Sequence, residues 1–426
     1  MLKCGIYEHD ITPALGSQIP GYFNVRLASG IKERLYAEAV VFGDGEKITS
    51  VIVAEDMIGI PASVCDRARA EIAEKLNLSE EAVTIHSTHV HTGGPTISFV
   101  CTRDDAFCEW LGDKAVEAAV LASQRMREVK IGFGHDFDYT IANYRDRVLP
   151  DGTLSTNNHT PGNKPFGKID PEVSCLIINN IDGSRYGVIV NYACHTDCVS
   201  GTEFSSDFPG AMRDTLRLVY GAEFMPVFLN GFFGNINHVD FENGKNRQPG
   251  YYRSMGRKLA GRVVCAMEDR DVVWFDDPEI KASAKRFKVK HRQPTEWELN
   301  WATEALERDK TTPLAPNDKH FANNIMKVAS LGEREYEVCV QVQKIGGLNL
   351  FACPREMFVE FGFMLKEGSD SKYNITTCNS NGDCGYVQIK ELITPSIYES
   401  RLDTGKLEPD AGYKMVDTML ELMKDL

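Results

Sequence analysis

His86, His89 and His91 stand within six positions of a chain that holds only 10 histidines. They belong to the stretch Val-Thr-Ile-His-Ser-Thr-His-Val-His-Thr-Gly-Gly-Pro, residues 83–95. Imidazole is the commonest side-chain metal ligand and the usual proton carrier near neutral pH. In an extended backbone, residues two apart share a face. His89 and His91 are therefore expected to project together, and His86 to point the other way as a structural residue. Gly93-Gly94-Pro95 lets the chain turn aside and leaves the rings accessible. The spacing suits a metal or catalytic site, and also a solvated strand end that happens to be rich in histidine.

Other reactive groups share one position in the pattern. Asp56, His195, Asn237 with His238, and Glu356 each follow an apolar run and precede a loop or a helix start. Strand ends opening onto loops are where α/β proteins place their sites. Two histidines and a carboxylate with one open position make a common catalytic zinc sphere, in which the pKa of a water falls to about 7. There is no H-E-x-x-H and no G-x-S-x-G, so neither that zinc-protease helix nor a serine elbow is expected. Cys194 and Cys198 flank His195 as alternative ligands. Glu356 is read as opening a helix after Pro354, where a carboxylate would also favour the helix dipole.

The elements that must position these groups are legible from periodicity and turn residues. Strands are expected at 3–7, 37–42 and 48–54, the last two joined by Gly43-Asp44-Gly45, then a helix over 62–75 and the His-rich strand. Helical periodicity covers 105–126. Strands follow at 130–137 and 138–142, and a polar loop at 157–168. Residues 173–179 and 186–193 repeat the hairpin, with Asp182-Gly183-Ser184 as the turn. A helix starts at Ser206-Asp207, where Asp207 serves as an N-cap or as a substrate group. A strand at 226–230, a helix at 251–267, strands at 279–292, 335–343 and 348–353, helices at 295–308 and 323–331, and a terminal helix at 410–426 complete the pattern. The expectation is a single large α/β domain over 1–426, with mixed β-sheets layered with outer helices.

The 426 residues are 42% hydrophobic and 25% charged, ordinary globular values that allow a sizeable core. A net charge of −14 argues against nucleic acid as a partner. No run of about 18 apolar residues spans a membrane, and no signal peptide is visible, so a cytoplasmic location is expected. A secreted form that has lost its leader is the alternative. The 12 cysteines are scattered without a C-x-x-C pair, which suits a reducing compartment.

Taken in order, several motifs resemble the catalytic region of the neutral/alkaline, non-lysosomal ceramidase family, in its shorter bacterial form. They are Asp10-Ile11-Thr12-Pro13 with Gly21-Tyr22; His89-Val90-His91-Thr92-Gly93 against H-T-H-S-G; Asn191-Tyr192-Ala193-Cys194-His195; and Ser206-Asp207-Phe208-Pro209-Gly210. Gly234-Asn235-Ile236-Asn237 stands against G-D-V-N or G-D-V-S. Cys353-Pro354-Arg355-Glu356-Met357-Phe358-Val359-Glu360 stands against L-P-G-E-P-F-V-E, and Gly385-Tyr386 precedes Tyr398-Glu399. The resemblance implies His89, His195, Glu356 and Tyr386 as zinc ligands. It implies His91, Tyr398 and Arg145 as catalytic groups around a scissile carbonyl, and Asp207 and Asn237 near the substrate. The implied reaction is zinc-dependent hydrolysis of a linear amide in a lipid-like or smaller, soluble N-acyl compound. Esterase or lactonase chemistry at the same metal is one alternative, and a non-catalytic metal- or sugar-binding protein another. Asn237 stands where ceramidases carry Ser, which favours attack by water over a serine nucleophile, and Asn235 replaces the usual Asp. No C-terminal immunoglobulin-like domain is expected, and the oligomeric state is left open.

Overall fold

Alternate residues of the Tyr36–Gly43 strand face two different cores. Ala37, Ala39 and Val41 lie under helices, whereas Val40 and Phe42 pack on the opposite side. A strand buried on both faces reads as a continuous apolar run. In the computed structural model, which describes residues 1–98, 100–314 and 316–426, this strand lies within a nine-stranded mixed sheet. Its order is Met225–Asn230, Arg185–Tyr192, Glu172–Asn180, Arg127–Phe137, Lys3–Asp10, Tyr36–Gly43, Ile48–Glu55, Val83–Ser87. The Val273–Trp274 strand pairs with Arg127–Phe137 beside this path. The sheet is parallel only at its two ends. Each end is a hairpin, a helix and a returning parallel strand. One helix is Ala62–Leu76 and the other Asp207–Tyr220.

The second core joins this sheet to a four-stranded one formed by Ile280–Lys290, Glu335–Ile345, Leu348–Ala352 and Tyr373–Thr377. Ile52, Leu176, Ile189 and Leu229 meet Leu348, Leu350 and Ile375 there, all fully buried. Truncating one such side chain to Ala typically costs about 2–5 kcal/mol. Helices Val359–Gly368 and Ala411–Asp425 cover the far side of the smaller sheet. The layers are therefore helix, sheet, sheet, helix, the expected α/β architecture, with no separate immunoglobulin-like unit among the described residues. No helix among them is long and apolar enough to cross a membrane.

The main sheet curls so that its two end strands approach each other. The Asn230 N–H donates to His86 Nε2 at 3.0 Å, and Ser380 and Thr377 hydroxyls sit 3.1 and 3.0 Å from His86 Nδ1. His86 thus closes the gap between the two halves, and everything beyond the strand ends is brought to one place.

Three expectations need correction. Residues 138–142 form a turn, because Asp138 Oδ1 accepts from the Thr140 and Ile141 N–H groups, a local pattern that competes with strand pairing. No helix opens at Glu356. Glu356–Met357 instead pairs in parallel with Tyr386–Val387, and the helix begins at Val359, whose N–H donates to Asn235 Oδ1 at 2.9 Å. His89 and His91 do not share a strand face, since the strand ends at Ser87 and His89 is left-handed with φ 69°.

Candidate metal centre

The Val83–Ser87 strand delivers residues 88–91 into a knot of loops. The Thr88 and His89 N–H groups donate to Glu55 and Met57 carbonyls at 3.0 and 2.8 Å. The His91 N–H donates to Thr196 O at 3.1 Å, and the Thr196 hydroxyl donates to Thr88 O at 2.7 Å. The loop carrying His195 is thereby stitched to the loop carrying His89 and His91. Phe233 packs against both His89 and His195, with ring centroids 4.7 and 4.8 Å away.

All three rings are oriented the same way. His89 Nδ1 lies 2.6 Å from Ile58 O, with the Asn379 amide at 2.8 Å. His91 Nδ1 lies 3.0 Å from Gly21 O, and His195 Nδ1 3.1 and 3.0 Å from the Phe233 and Ile236 carbonyls. At His91 and His195 only carbonyls face Nδ1, so Nδ1 carries the proton and Nε2 is a bare lone pair; at His89 the Ile58 carbonyl sets the same tautomer once the Asn379 amide turns its otherwise unpartnered oxygen toward the ring. Gly21 is required for this approach: its φ is +102°, and a Cβ there would stand 2.8 Å from His91 Nδ1. The three histidines offer ligand atoms within 4.8 Å of one another.

Glu356 completes the group. Its Oε2 lies 3.3 Å from His89 Nε2 and 3.4 Å from His195 Nε2. Its Oε1 accepts from the Gly385 N–H at 3.0 Å, whereas Oε2 is buried with no hydrogen-bond partner. Burial works against the Glu356 charge, but His89, His195 and Arg145 together hold its carboxyl far below the usual range. Burial lowers His89 to about 3 and His91 to about 4. At neutral pH His89 and His91 are therefore neutral imidazoles beside the Glu356 carboxylate, part of the donor set a divalent cation requires. The orphaned Oε2 and the converging bare nitrogens fit such an ion.

The remaining expected residues fall into two groups. Tyr386 and Tyr398 line the adjoining cleft, and the Tyr386 hydroxyl is 3.3 Å from His195 Nε2. Burial raises the pKa of both phenols, so both are neutral donors. Arg145, Asp207 and Asn237 do not line the cleft. Arg145 is buried in an ion pair with Glu399, donates to Gly234 O at 2.7 Å and stacks 5.1 Å from the Tyr386 ring centroid. Asp207 accepts from the Val199 and Phe208 N–H groups at 2.8 and 2.6 Å. Burial pushes it up to about 6. Asn237 donates to both oxygens of Asp197, which also pairs with His238 at 3.0 Å. Burial opposes the Asp197 charge, but His238 above all holds it well below the usual range. Asp197 stands two residues after His195, with no pattern in the sequence to mark it.

The cleft encloses about 320 Å³. Ile58, Ile60, Pro61 and Ile97 form an apolar wall, while Arg355, Asp383, Asp403 and Lys406 are polar. None of these eight was marked as a site residue from the sequence. Arg355 was visible within its motif, whereas Lys406 carries no local signal.

No protein-family model matches the sequence, and no curated protein matches it. Solved structures share the fold, among them two ceramidases. Neutral ceramidase from Pseudomonas aeruginosa superposes with a TM-score of 0.76 at 16% identity, covering 99% of this chain and 74% of that one. A ceramidase complexed with C2 gives 0.75 at 14% identity, with the same coverage of 99% and 74%.

Proposed function

We propose that this chain, built on a fold shared with neutral ceramidase, is a zinc-dependent amide hydrolase acting on an N-acyl compound. The observation that carries the reading is the unpartnered Glu356 Oε2 facing the bare Nε2 atoms of His89 and His195 beside an open cleft. His89, His195 and Glu356 would hold the ion, with the Tyr386 hydroxyl as a further donor. A bound zinc ion supplies Lewis acidity toward a carbonyl and a water of lowered pKa.

The chain's own groups account for the rest of the chemistry. His91 faces the same centre with its Nε2 3.3 Å from that of His89, placed to take a proton from the attacking water and return it to the leaving nitrogen. In the net reaction the water oxygen bonds to the acyl carbon, the C–N bond breaks and the amine leaves with the proton. The Tyr398 phenol, neutral in the cleft, is a donor for the charge that builds on the carbonyl oxygen. Arg145 acts through His195 and Tyr386 and so positions rather than touches the reacting atoms. Asn237 works at a similar remove, by fixing Asp197. The wall of Ile58, Ile60, Pro61 and Ile97 suits an acyl chain.

The test is elemental analysis of the purified protein, followed by turnover of matched N-acyl and O-acyl substrates with and without a chelator. About one zinc per chain and chelator-sensitive amide cleavage is the expected result. Faster ester cleavage would favour the esterase reading. A protein without stoichiometric metal that turns over no acyl compound would refute both and leave a binding protein.

A further inference from the structure

Two cations line the cleft beside the segment that carries Glu356 and Gly385. Arg355 is only 5% exposed. Its Nη1 donates to Cys384 O at 3.3 Å, and its guanidinium lies over the Tyr336 ring at 5.1 Å. A Cβ at Gly385 would come within 3.2 Å of that Nη1. The Gly385 N–H is also the donor that holds Glu356 Oε1. Arg355 is therefore anchored one residue away from the proposed metal ligand. Lys406 lines the same cleft. Burial first, then the Arg355 charge, lower the Lys406 pKa.

Neither cation forms an ion pair among the described residues. The two carboxylates lining the same cleft, Asp383 and Asp403, act on Lys406 by charge without forming an ion pair to it. Asp383 Oδ1 accepts from the Ala62 N–H at 3.0 Å at the start of a helix. Asp403 faces Arg401 at 3.5 Å and His320 at 3.6 Å. Arg103, at the exposed rim, is paired with Asp105 at 2.6 Å. Two like charges held together in a partly buried cleft favour an anion between them, and the planar guanidinium matches a carboxylate.

We propose that Arg355 and Lys406 form a carboxylate subsite of the cleft, so that the preferred substrate is an N-acyl amino acid rather than an N-acyl amino alcohol. The acyl portion lies on the Ile58, Ile60, Pro61 and Ile97 wall, and the carboxylate of the amine portion sits between the two cations. Hydrolysis then releases a carboxylic acid and a free amino acid, with water as the only co-reactant. This substrate class rests on the amide-hydrolase reading given above, whereas the anion subsite itself does not.

The experiment compares N-hexanoylglycine with N-hexanoylethanolamine on the zinc-loaded protein and on Lys406→Gln, with Arg355→Lys as a second, charge-preserving variant. The expected result is a kcat/KM ratio of about tenfold or more in favour of the carboxylate. That ratio collapses toward one in Lys406→Gln and falls in Arg355→Lys, which loses the planar fork. A wild-type preference for the neutral amide, or a ratio unmoved by Lys406→Gln, overturns the subsite and leaves the hydrolase reading standing. If neither amide is cleaved, the hydrolase reading fails, and calorimetric titration of the same two compounds decides the subsite. Tighter binding of the carboxylate that is lost in Lys406→Gln supports it, and equal affinities overturn it.

Discussion

Glu356→Gln should lose most of the stability that zinc adds to the parent. The substitution keeps the side-chain shape and an oxygen for the Gly385 N–H at 3.0 Å, but it removes the charge at Oε2. In the metal-free protein that oxygen is buried without a partner, 3.3 and 3.4 Å from imidazole nitrogens whose lone pairs face it. A buried charged acceptor left unpaired costs about 1–3 kcal/mol or more. A Gln amide offers N–H donors to the same lone pairs. Metal-free Glu356→Gln loses the attraction of His89, His195 and Arg145 for the charge but gains donors to the same lone pairs, so it should lie within about 1–2 kcal/mol of the metal-free parent. Zinc at a hundredfold excess over its dissociation constant should stabilise the parent by about 2.7 kcal/mol, and the variant, lacking its anionic ligand, by much less. Urea unfolding in chelator and in excess zinc, with elemental analysis of the same samples, reads both terms. A variant more than about 2 kcal/mol less stable than the parent in chelator, with equal stabilisation of the two by zinc, would refute the reasoning. Glu356 would then be the counter-ion of a protonated histidine.

His91→Asn should lower kcat by about 10²–10⁴-fold while leaving zinc content unchanged, as expected of a proton carrier; loss of zinc together with activity would make His91 a ligand. His86→Ala leaves the buried Asn230 N–H without its acceptor and should cost about 1–3 kcal/mol in chemical denaturation, again with zinc content unchanged. Bound zinc lost at unchanged stability would reverse the structural assignment of His86. In the core, Glu38 and Asp56 share Arg213 at 2.6 and 2.9 Å, and burial pushes Glu38 up from 4.5 to about 7. The folded state then holds a proton that the unfolded chain releases earlier. This contribution to stability is complete below about 4.5 and is lost as pH rises through about 7. Glu38→Gln should flatten the decline in unfolding free energy between about pH 5 and pH 7.5, and an unchanged slope would count against the proton held on Glu38.

Part of this site was legible from the chain and part was not, for physical reasons. His89, His91 and His195 follow β-branched or apolar strands, and the period-two pattern that builds those strands also marks where they end. The layered mixed sheets follow from the same apolar runs, because strands buried on both faces leave an uninterrupted signature. The route by which the histidines converge was not legible. Strand alternation implied a shared face for His89 and His91, yet the chain leaves the strand at Ser87 and the rings meet because carbonyls of Gly21, Ile58, Phe233 and Ile236 turn each one. Those acceptors are backbone atoms, which carry no residue-type signal. Glu356 was misplaced on a helix because Pro354 is a sound start signal. The competing two-residue pairing with Tyr386–Val387 is a contact over a long sequence separation. Lys406 had nothing to mark it, since its meaning depends on Arg355 alone.

Backbone conformation supplies an independent argument for where function lies. Among the described residues, nine non-glycine positions have positive φ, and seven of them are Asn or Asp, which tolerate that region. The two others are His89 at 69° and Arg355 at 71°. Each such conformation costs on the order of 1 kcal/mol or more and persists only where surrounding contacts impose it. At His89 the contacts are its N–H to Met57 O and its ring to Ile58 O; at Arg355 they are its N–H to Asp383 O and its own carbonyl, which accepts from Asn379 N–H. Asn379, itself left-handed at 51°, also places its amide 2.8 Å from His89 Nδ1. The two strained residues are thus braced by one shared segment. One carries a proposed metal ligand, and the other is an inferred anion-binding group next to a second proposed ligand. Packing alone gives no reason for the two exceptions to fall together on one cleft wall. A site that must hold metal ligands and a substrate charge in fixed relation does.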